Sequence, residues 1–346
     1  MIESDKPLAQ KNRNRVSTSI DVAKLAGVSQ SAVSRAFTPG GSVSEETRAK
    51  VLKAAKALGY RPNAFAKGLI TQQSGLIGIV FPSTQSPIYT QALQYLTRAL
   101  VAEGYSSILI PFDTYADGDH SIPQLFHYRV EGVIVMSSTL ESHLVEECLD
   151  LNIPVVQLGR VARGANTNCV VCDNASGGVM AAELLVARGC LRPAFIAGDH
   201  ATSTNRERES GFCRRIEQLL GYPPLVYQAN FSYEAGGAAA RELLVMPSPP
   251  DGLFCATDLI AIGVMDVARE MGLSIPDQLQ LIGFDDIPQA AWVGYQLTTF
   301  SQDIERIAEE SVRILLCQIK RDDNRCTHLI LPVTLVQRGT LRELTG

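Results

Sequence analysis

Between Gln30 and Phe37 the polar residues Gln30, Ser31, Ser34 and Arg35 recur at i, i+1, i+4 and i+5, which gathers them on one face of a helix. Arginine can donate to both acceptors on a guanine edge, and glutamine can pair with the donor and acceptor of adenine together. The other face, Ala32, Val33, Ala36 and Phe37, is apolar and needs helices to pack on. The flanking residues supply them. A helix over 21–26 offers small Ala23 for close approach, and Gly27 permits the left-handed turn. Ser29 can cap the second helix by accepting a hydrogen bond from a first-turn amide. The surface offered to a major groove is then Ser29, Gln30, Ser31, Ser34 and Arg35. A third helix opens at Ser44, places Glu45 and Glu46 at its positive end, and carries Val51, Leu52, Ala55 and Leu58 as its stripe.

An ordinary polar helix surface is the plain alternative, and charge weighs against it. Residues 1–70 hold 12 Lys/Arg and five Asp/Glu, a net +7, while the remaining 276 hold 19 and 31, a net −12. Within a chain of net charge −5, a small basic head on an acidic body directs only the head to a polyanion.

From about residue 75 the pattern changes. Short β-branched runs at 76–81, 107–112, 132–136, 154–159, 169–173, 193–198, 252–257 and 279–285 alternate with amphipathic stretches such as 88–103, 174–188, 204–220, 233–245 and 258–271. That rhythm predicts doubly wound parallel sheets, and the number of strands predicts two of them.

Several chemistries find no support. Phosphate loops, G-x-G-x-x-G, G-x-S-x-G and H-E-x-x-H are absent, so neither an enzyme nor a cofactor is expected. Asp285 and Asp286 are adjacent at a strand end and point in opposite directions, which is no acid dyad. Cys169 and Cys172 have CxxC spacing, but no second pair exists and the five histidines are scattered, so both read as buried thiols rather than metal ligands. The polar N-terminal residues lack a signal-peptide core and no run reaches the roughly 18 apolar residues of a membrane span, which leads us to expect a cytoplasmic protein.

The stretches SIDVAKLAGVSQSAVSRAF, VSEETRAKVLKAAKALGYRPNAFAKGL and SGLIGIVFP, with IGFDD and LTTF later, resemble the LacI/GalR family of bacterial transcriptional regulators from about residue 18 to about 340. The resemblance implies an all-α helix-turn-helix head at 18–60, a hinge at 61–72, and an effector-binding and dimerisation body at 73–346 of periplasmic-binding-protein type. Its N-subdomain would comprise about 73–161 with 290–325, and its C-subdomain about 162–289 with 326–342. It further implies a homodimer on a near-palindromic operator, with Asn63 near the DNA backbone and Leu69 wedged into the minor groove. Gly68 beside Leu69 would keep an unbound hinge from forming a helix. The chain ends without an a/d heptad, so a terminal coiled-coil tetramer is not expected.

By the same resemblance Tyr89, Arg160, Arg208, Phe231, Thr257 and Asp285 line an effector pocket for a sugar, sugar derivative or organic acid. For four of them a plainer role exists: a surface ion pair within 206–209 for Arg208, a cap for Asp285, core packing for Tyr89 and Phe231. Asp173 reads as the cap of helix 174–188. Three departures from the family stand out: Thr257 for Asn, Gly159 for Asp, and Gln296 for Pro. Loss of an acid at 159 beside Arg160 favours an anionic effector. A solute-binding protein or metabolite sensor that ignores operators is the rival reading; it explains the body and leaves the head unused.

Overall fold

The computed structural model describes residues 17–38, 40–61, 74–83, 86–112, 125, 127–136, 141–160, 167–320 and 326–344, with the backbone alone at 141–143. Asn63, Gly68 and Leu69 lie outside the described residues. The chain divides between Ser74 and Gly75 into a head and a body.

The head contains α1 (Ser19–Ala26), α2 (Gln30–Phe37) and α3 (Glu45–Leu58). α1 starts earlier than expected because Thr18 and Asp21 form a reciprocal capping box that satisfies the first-turn amides. Gly27 ends it at φ 68°, Ser29 accepts the Ala32 amide at 3.2 Å, and Ser44 accepts the Thr47 amide at 3.2 Å. Val22, Ala23, Val33, Ala36, Val51, Ala54 and Ala55 close the core. Leu52 is a correction: it is 46% exposed, because the stripe from Val51 continues through Ala54, Ala55 and Leu58 at helical spacing.

The body carries two parallel sheets. The first has the order β11-β5-β4-β3-β1-β2, from β1 (Leu76–Pro82), β2 (Ser106–Phe112), β3 (Gly132–Val135), β4 (Val155–Leu158), β5 (Asn168–Cys172) and β11 (His328–Leu331). The second has the order β7-β6-β8-β9, from β6 (Pro193–Ala197), β7 (Leu225–Gln228), β8 (Gly252–Cys255) and β9 (Gln280–Ile282). A short antiparallel pair, β10 (Thr299–Gln302) with β12 (Val333–Val336), completes the strands. The helices are α4 (Pro87–Ala102), α5 (Glu141–Asp150), α6 (Asn174–Ala187), α7 (Ser203–Leu220), α8 (Tyr233–Leu243), α9 (Asp258–Glu270) and α10 (Ile304–Ile319).

The expected subdomain boundaries need one revision. β5 and β11 were grouped with the second half, yet β5 pairs β4 and β11 pairs β5, so both extend the first sheet. A buried strand reads the same in either sheet; its partner is set by long-range register, which a local pattern does not carry. Cys169 and Cys172 lie in β5, buried, and burial pushes their thiols up to about 11 and about 12, away from reactivity.

α6 and α7 meet at backbone distance. A Cβ on Gly178 would stand 2.2 Å from the Arg208 carbonyl oxygen, and one on Gly211 2.2 Å from that of Ala175. This contact fixes where α7 presents Arg208. Gly178→Ala is therefore expected to lower the urea midpoint of the body by the equivalent of about 1–3 kcal/mol, whereas Leu52→Ser in the head should change stability by less than about 0.5 kcal/mol.

Candidate functional site

A cavity of about 320 Å³ lies just beyond the carboxyl ends of strands from both sheets, which is where open α/β sheets hold ligands. Pro82 ends β1, Gly159 and Arg160 follow β4, Asp199 follows β6, Phe231 follows β7, Thr257 follows β8 and Asp285 follows β9. All six residues expected to contact an effector, Tyr89, Arg160, Arg208, Phe231, Thr257 and Asp285, line it.

Arg208 is buried at 3% exposure, which overturns its reading as part of a surface ion pair. It lies in the second turn of α7. Its Nε donates to Asn174 Oδ1 at 2.9 Å, and Nη1 donates to the Ala256 carbonyl at 2.5 Å and lies 3.6 Å from Asp285 Oδ1. The guanidinium carbon sits 3.5 Å from the ring centre of Phe284. Asp285 is held in turn by Gln302, whose Nε2 donates to Oδ1 at 2.7 Å.

Asp285 does not end a long strand as expected. β9 stops at Ile282, and Asp285 and Asp286 both have positive φ, 118° and 52°, a region costly for residues with a side chain. The two carboxylates diverge: Asp286 pairs with Arg338 at 2.6 Å while Asp285 faces Arg208. Asp258 holds the strained turn in place. It is fully buried, accepts the Ile287 amide at 2.9 Å and the Thr299 hydroxyl at 2.5 Å, and its own amide donates to Phe284. Asp285 therefore serves no capping role; the amide that a cap would have taken belongs to Asp258.

Thr257 has two duties. It lines the cavity and its Oγ1 accepts the Ile260 amide at 3.5 Å as the cap of α9. Asp173 is the cap of α6, accepting the Ser176 amide at 2.9 Å, as read from the sequence. Its neighbour Asn174 faces Arg208, a contact the capping pattern concealed. Gln296 has φ 45°, which a proline ring locked near about −65° cannot adopt. Sequence reasoning missed Asp199, Gln302 and Asp258. Polar residues just after a strand end were the available signal for Asp199; Gln302 and Asp258 had none, because their roles depend on β10 and α9 meeting at the turn.

In the head, α2 presents Gln30, Ser31, Ser34 and Arg35 on its exposed side. Gln30 Nε2 donates to Ser19 Oγ at 3.0 Å, and the hydroxyls of Ser29 and Ser31 are 2.9 Å apart. Arg48 was not foreseen: its guanidinium bonds the carbonyls of Ala36 and Gly41 and fastens the loop after α2.

A helix-turn-helix head joined to a two-sheet body with a cavity that polar and apolar side chains share defines a DNA-binding protein that also holds a small molecule. Comparison with known proteins agrees. Residues 18–63 match the bacterial regulatory proteins of the lacI family, and residues 182–341 match a periplasmic binding protein-like domain. The chain is 32% identical over 323 residues to the ribose operon repressor of Halalkalibacterium halodurans, covering 93% of this chain and 96% of that one. It is 32% identical over 318 residues to the sucrose operon repressor of Streptococcus mutans, covering 91% and 97%. A crystal structure of the lac repressor dimer bound to operator and the anti-inducer ONPF aligns with TM-score 0.86 at 27% identity, covering 94% of this chain and 99% of that one. The chain belongs to the LacI family: it is a sequence-specific DNA-binding transcriptional repressor under effector control, and not an enzyme. No helix among the described residues is long and apolar enough to cross a membrane.

Burial pushes the Asp258 carboxyl up to about 7, with Asp285 adding to the rise, and pushes Asp285 up to about 6 against the pull of Arg208 and Gln302. Both folded values exceed the unfolded value near about 3.9, so the folded state binds these protons more tightly. Their contribution to stability is full below about pH 4 and is lost as pH rises through 6 and 7. Asp258→Asn should lower the urea midpoint at pH 5 yet flatten its fall between pH 5 and pH 8; an unchanged slope counts against a buried acid at this position.

Proposed function

We propose that the protein works as a cytoplasmic homodimer whose two heads read the half-sites of a near-palindromic operator, with a small effector held in the body cavity by Tyr89, Arg160, Arg208, Phe231, Thr257 and Asp285. The buried Arg208–Asp285 pair at the cavity wall is the observation that supports this most. A guanidinium and a carboxylate together offer donors and acceptors to adjacent hydroxyls, as in a sugar or hydroxy acid. Both sheets contribute to the wall, so a ligand that contacts both favours one arrangement of the sheets over another.

On the DNA, Arg35 and Gln30 are the base readers, assisted by Ser31 and Ser34, while Ser29 caps α2 and sits at the backbone. Asn63 and Leu69 would act in the hinge, Leu69 as a wedge whose unstacking cost is offset by contacts the bend allows. The basic head supplies the phosphate contacts. The rival, a solute-binding protein, has no use for a capped recognition helix.

Duplexes selected in vitro by the full-length protein give the probe. Arg35→Ala should cost ~1–3 kcal/mol on the selected site and relax one base position. Wild-type affinity should fall steeply with salt through counterion release. Equal loss on selected and scrambled duplexes would make Arg35 a phosphate contact, and a chain that selects no duplex would leave the solute-binding reading in possession.

A further inference from the structure

A hydrogen bond joins α1 to α2 that neither helix needs for its own formation. Ser19 opens α1 and Gln30 opens α2 eleven residues later, and Gln30 Nε2 donates to Ser19 Oγ at 3.0 Å. The start of α1 is already satisfied. Thr18 Oγ1 accepts the Asp21 amide at 3.3 Å, and Asp21 Oδ2 accepts the Thr18 amide at 2.9 Å and its hydroxyl at 2.7 Å. The start of α2 is satisfied by Ser29, which accepts the Ala32 amide at 3.2 Å. Serine is also a poorer helix former than alanine. The Ser19 hydroxyl therefore serves neither cap; its contact is with Gln30.

The place of that hydroxyl is set by the packing of the head. Ser17 Oγ donates to the Leu58 carbonyl at 2.8 Å, which ties the chain ahead of α1 to the end of α3. Val22 and Ala23 of α1 share the core with Val33 and Ala36 of α2. The acceptor thus belongs to the packed frame, while Gln30 extends from the exposed face of α2.

Counting donors shows what Gln30 has left for a base. A carboxamide carries two N–H donors and one carbonyl acceptor. With one N–H given to Ser19, one N–H and Oε1 remain, the complement of the N7 acceptor and N6 donor on an adenine edge. Turned end for end, the amide would accept from the Ser19 hydroxyl through Oε1 and present two N–H donors, the complement of the N7 and O6 acceptors of guanine. A glutamine without such a partner presents either pattern by rotation about its last bond. The bond to Ser19 selects between them.

Resting on the reading of Gln30 as a base reader, we propose that Ser19 is its positioning residue: the Ser19 hydroxyl holds the amide nitrogen toward α1, so that Gln30 reads adenine and rejects guanine. Holding the side chain from α1 also spares part of the rotamer freedom that a long side chain loses on binding.

The test uses the full-length protein and duplexes it selects in vitro. Gln30→Ala identifies the base pair that Gln30 reads, as the position where preference relaxes, and that pair should carry adenine. Ser19→Ala should lower discrimination for adenine over guanine there by about fivefold or more, with preference at the other pairs, the salt dependence and the melting temperature as in wild type. Ser19→Thr, which keeps the hydroxyl, should restore most of the discrimination. In a Gln30→Ala background Ser19→Ala should cost nothing further, because the two side chains act as one unit. Guanine at the Gln30 pair, discrimination unchanged in Ser19→Ala, or equal loss in Ser19→Ala and Ser19→Thr overturns the inference and leaves Gln30 a base reader. So does a loss that persists in the Gln30→Ala background, which makes Ser19 a DNA contact in its own right. If Gln30→Ala relaxes no base pair, the reading of Gln30 fails and the inference falls with it.

Discussion

The body depends on burying one guanidinium and one carboxylate side by side, Arg208 and Asp285, at 3.6 Å. Removing two ions from water costs several kcal/mol each, and their attraction alone seldom offsets it. Here the remainder comes from neighbours that are themselves fixed: Asn174 and the Ala256 carbonyl on the arginine, Gln302 on the aspartate. Each partner also needs its own support. Arg208 reaches the cavity only because α6 and α7 touch through Gly178 and Gly211, and Asp285 faces it only because two consecutive residues accept positive φ. An apolar pair would fill the same space with less to satisfy. Retention of a buried ion pair under such demands fits a site that reads polar ligands better than it fits a device for stability.

The charge distribution has a corresponding logic. The net +7 is spread over residues 1–70, on both sides of the three helices as well as within them, and the −12 lies with the rest of the chain. An acidic body is repelled by phosphates, so attraction to DNA is confined to the basic N-terminal part of the chain. The cavity does not share the body's negative balance. Two arginines and two aspartates line its wall, and burial holds the Asp285 carboxyl close to protonation.

Much of this could be read from the sequence, for particular reasons. α2 and α3 announce themselves through Ser29, Ser44, Gly27 and Gly59, because caps and left-handed ends are local chemistry that a few residues specify. The eight expected strands were found within a few residues for the same reason: short β-branched runs between turn signals. That Tyr89, Arg160, Arg208, Phe231, Thr257 and Asp285 gather at one place followed from family resemblance, and they line one cavity. What stayed hidden is non-local. β7, β10, β11 and β12 are short and mixed in burial, and β11 takes its place in the first sheet only through pairing with β5. Asp258 and Gln302 act on Asp285 from residues distant in sequence, and no local pattern marks them. Leu52 was misplaced by one helical position, which on α3 is the difference between core and solvent.

The central claim is that ligand binding in the cavity and operator binding by the head are linked by one free energy. Linkage requires that the coupling be reciprocal. The most direct measurement is the effector dissociation constant of the full-length protein by calorimetry, alone and then saturated with operator duplex. It should change by the same factor by which the effector changes operator affinity. A dissociation constant unaltered by operator, for a ligand whose binding is lost in Asp285→Asn, would contradict the claim.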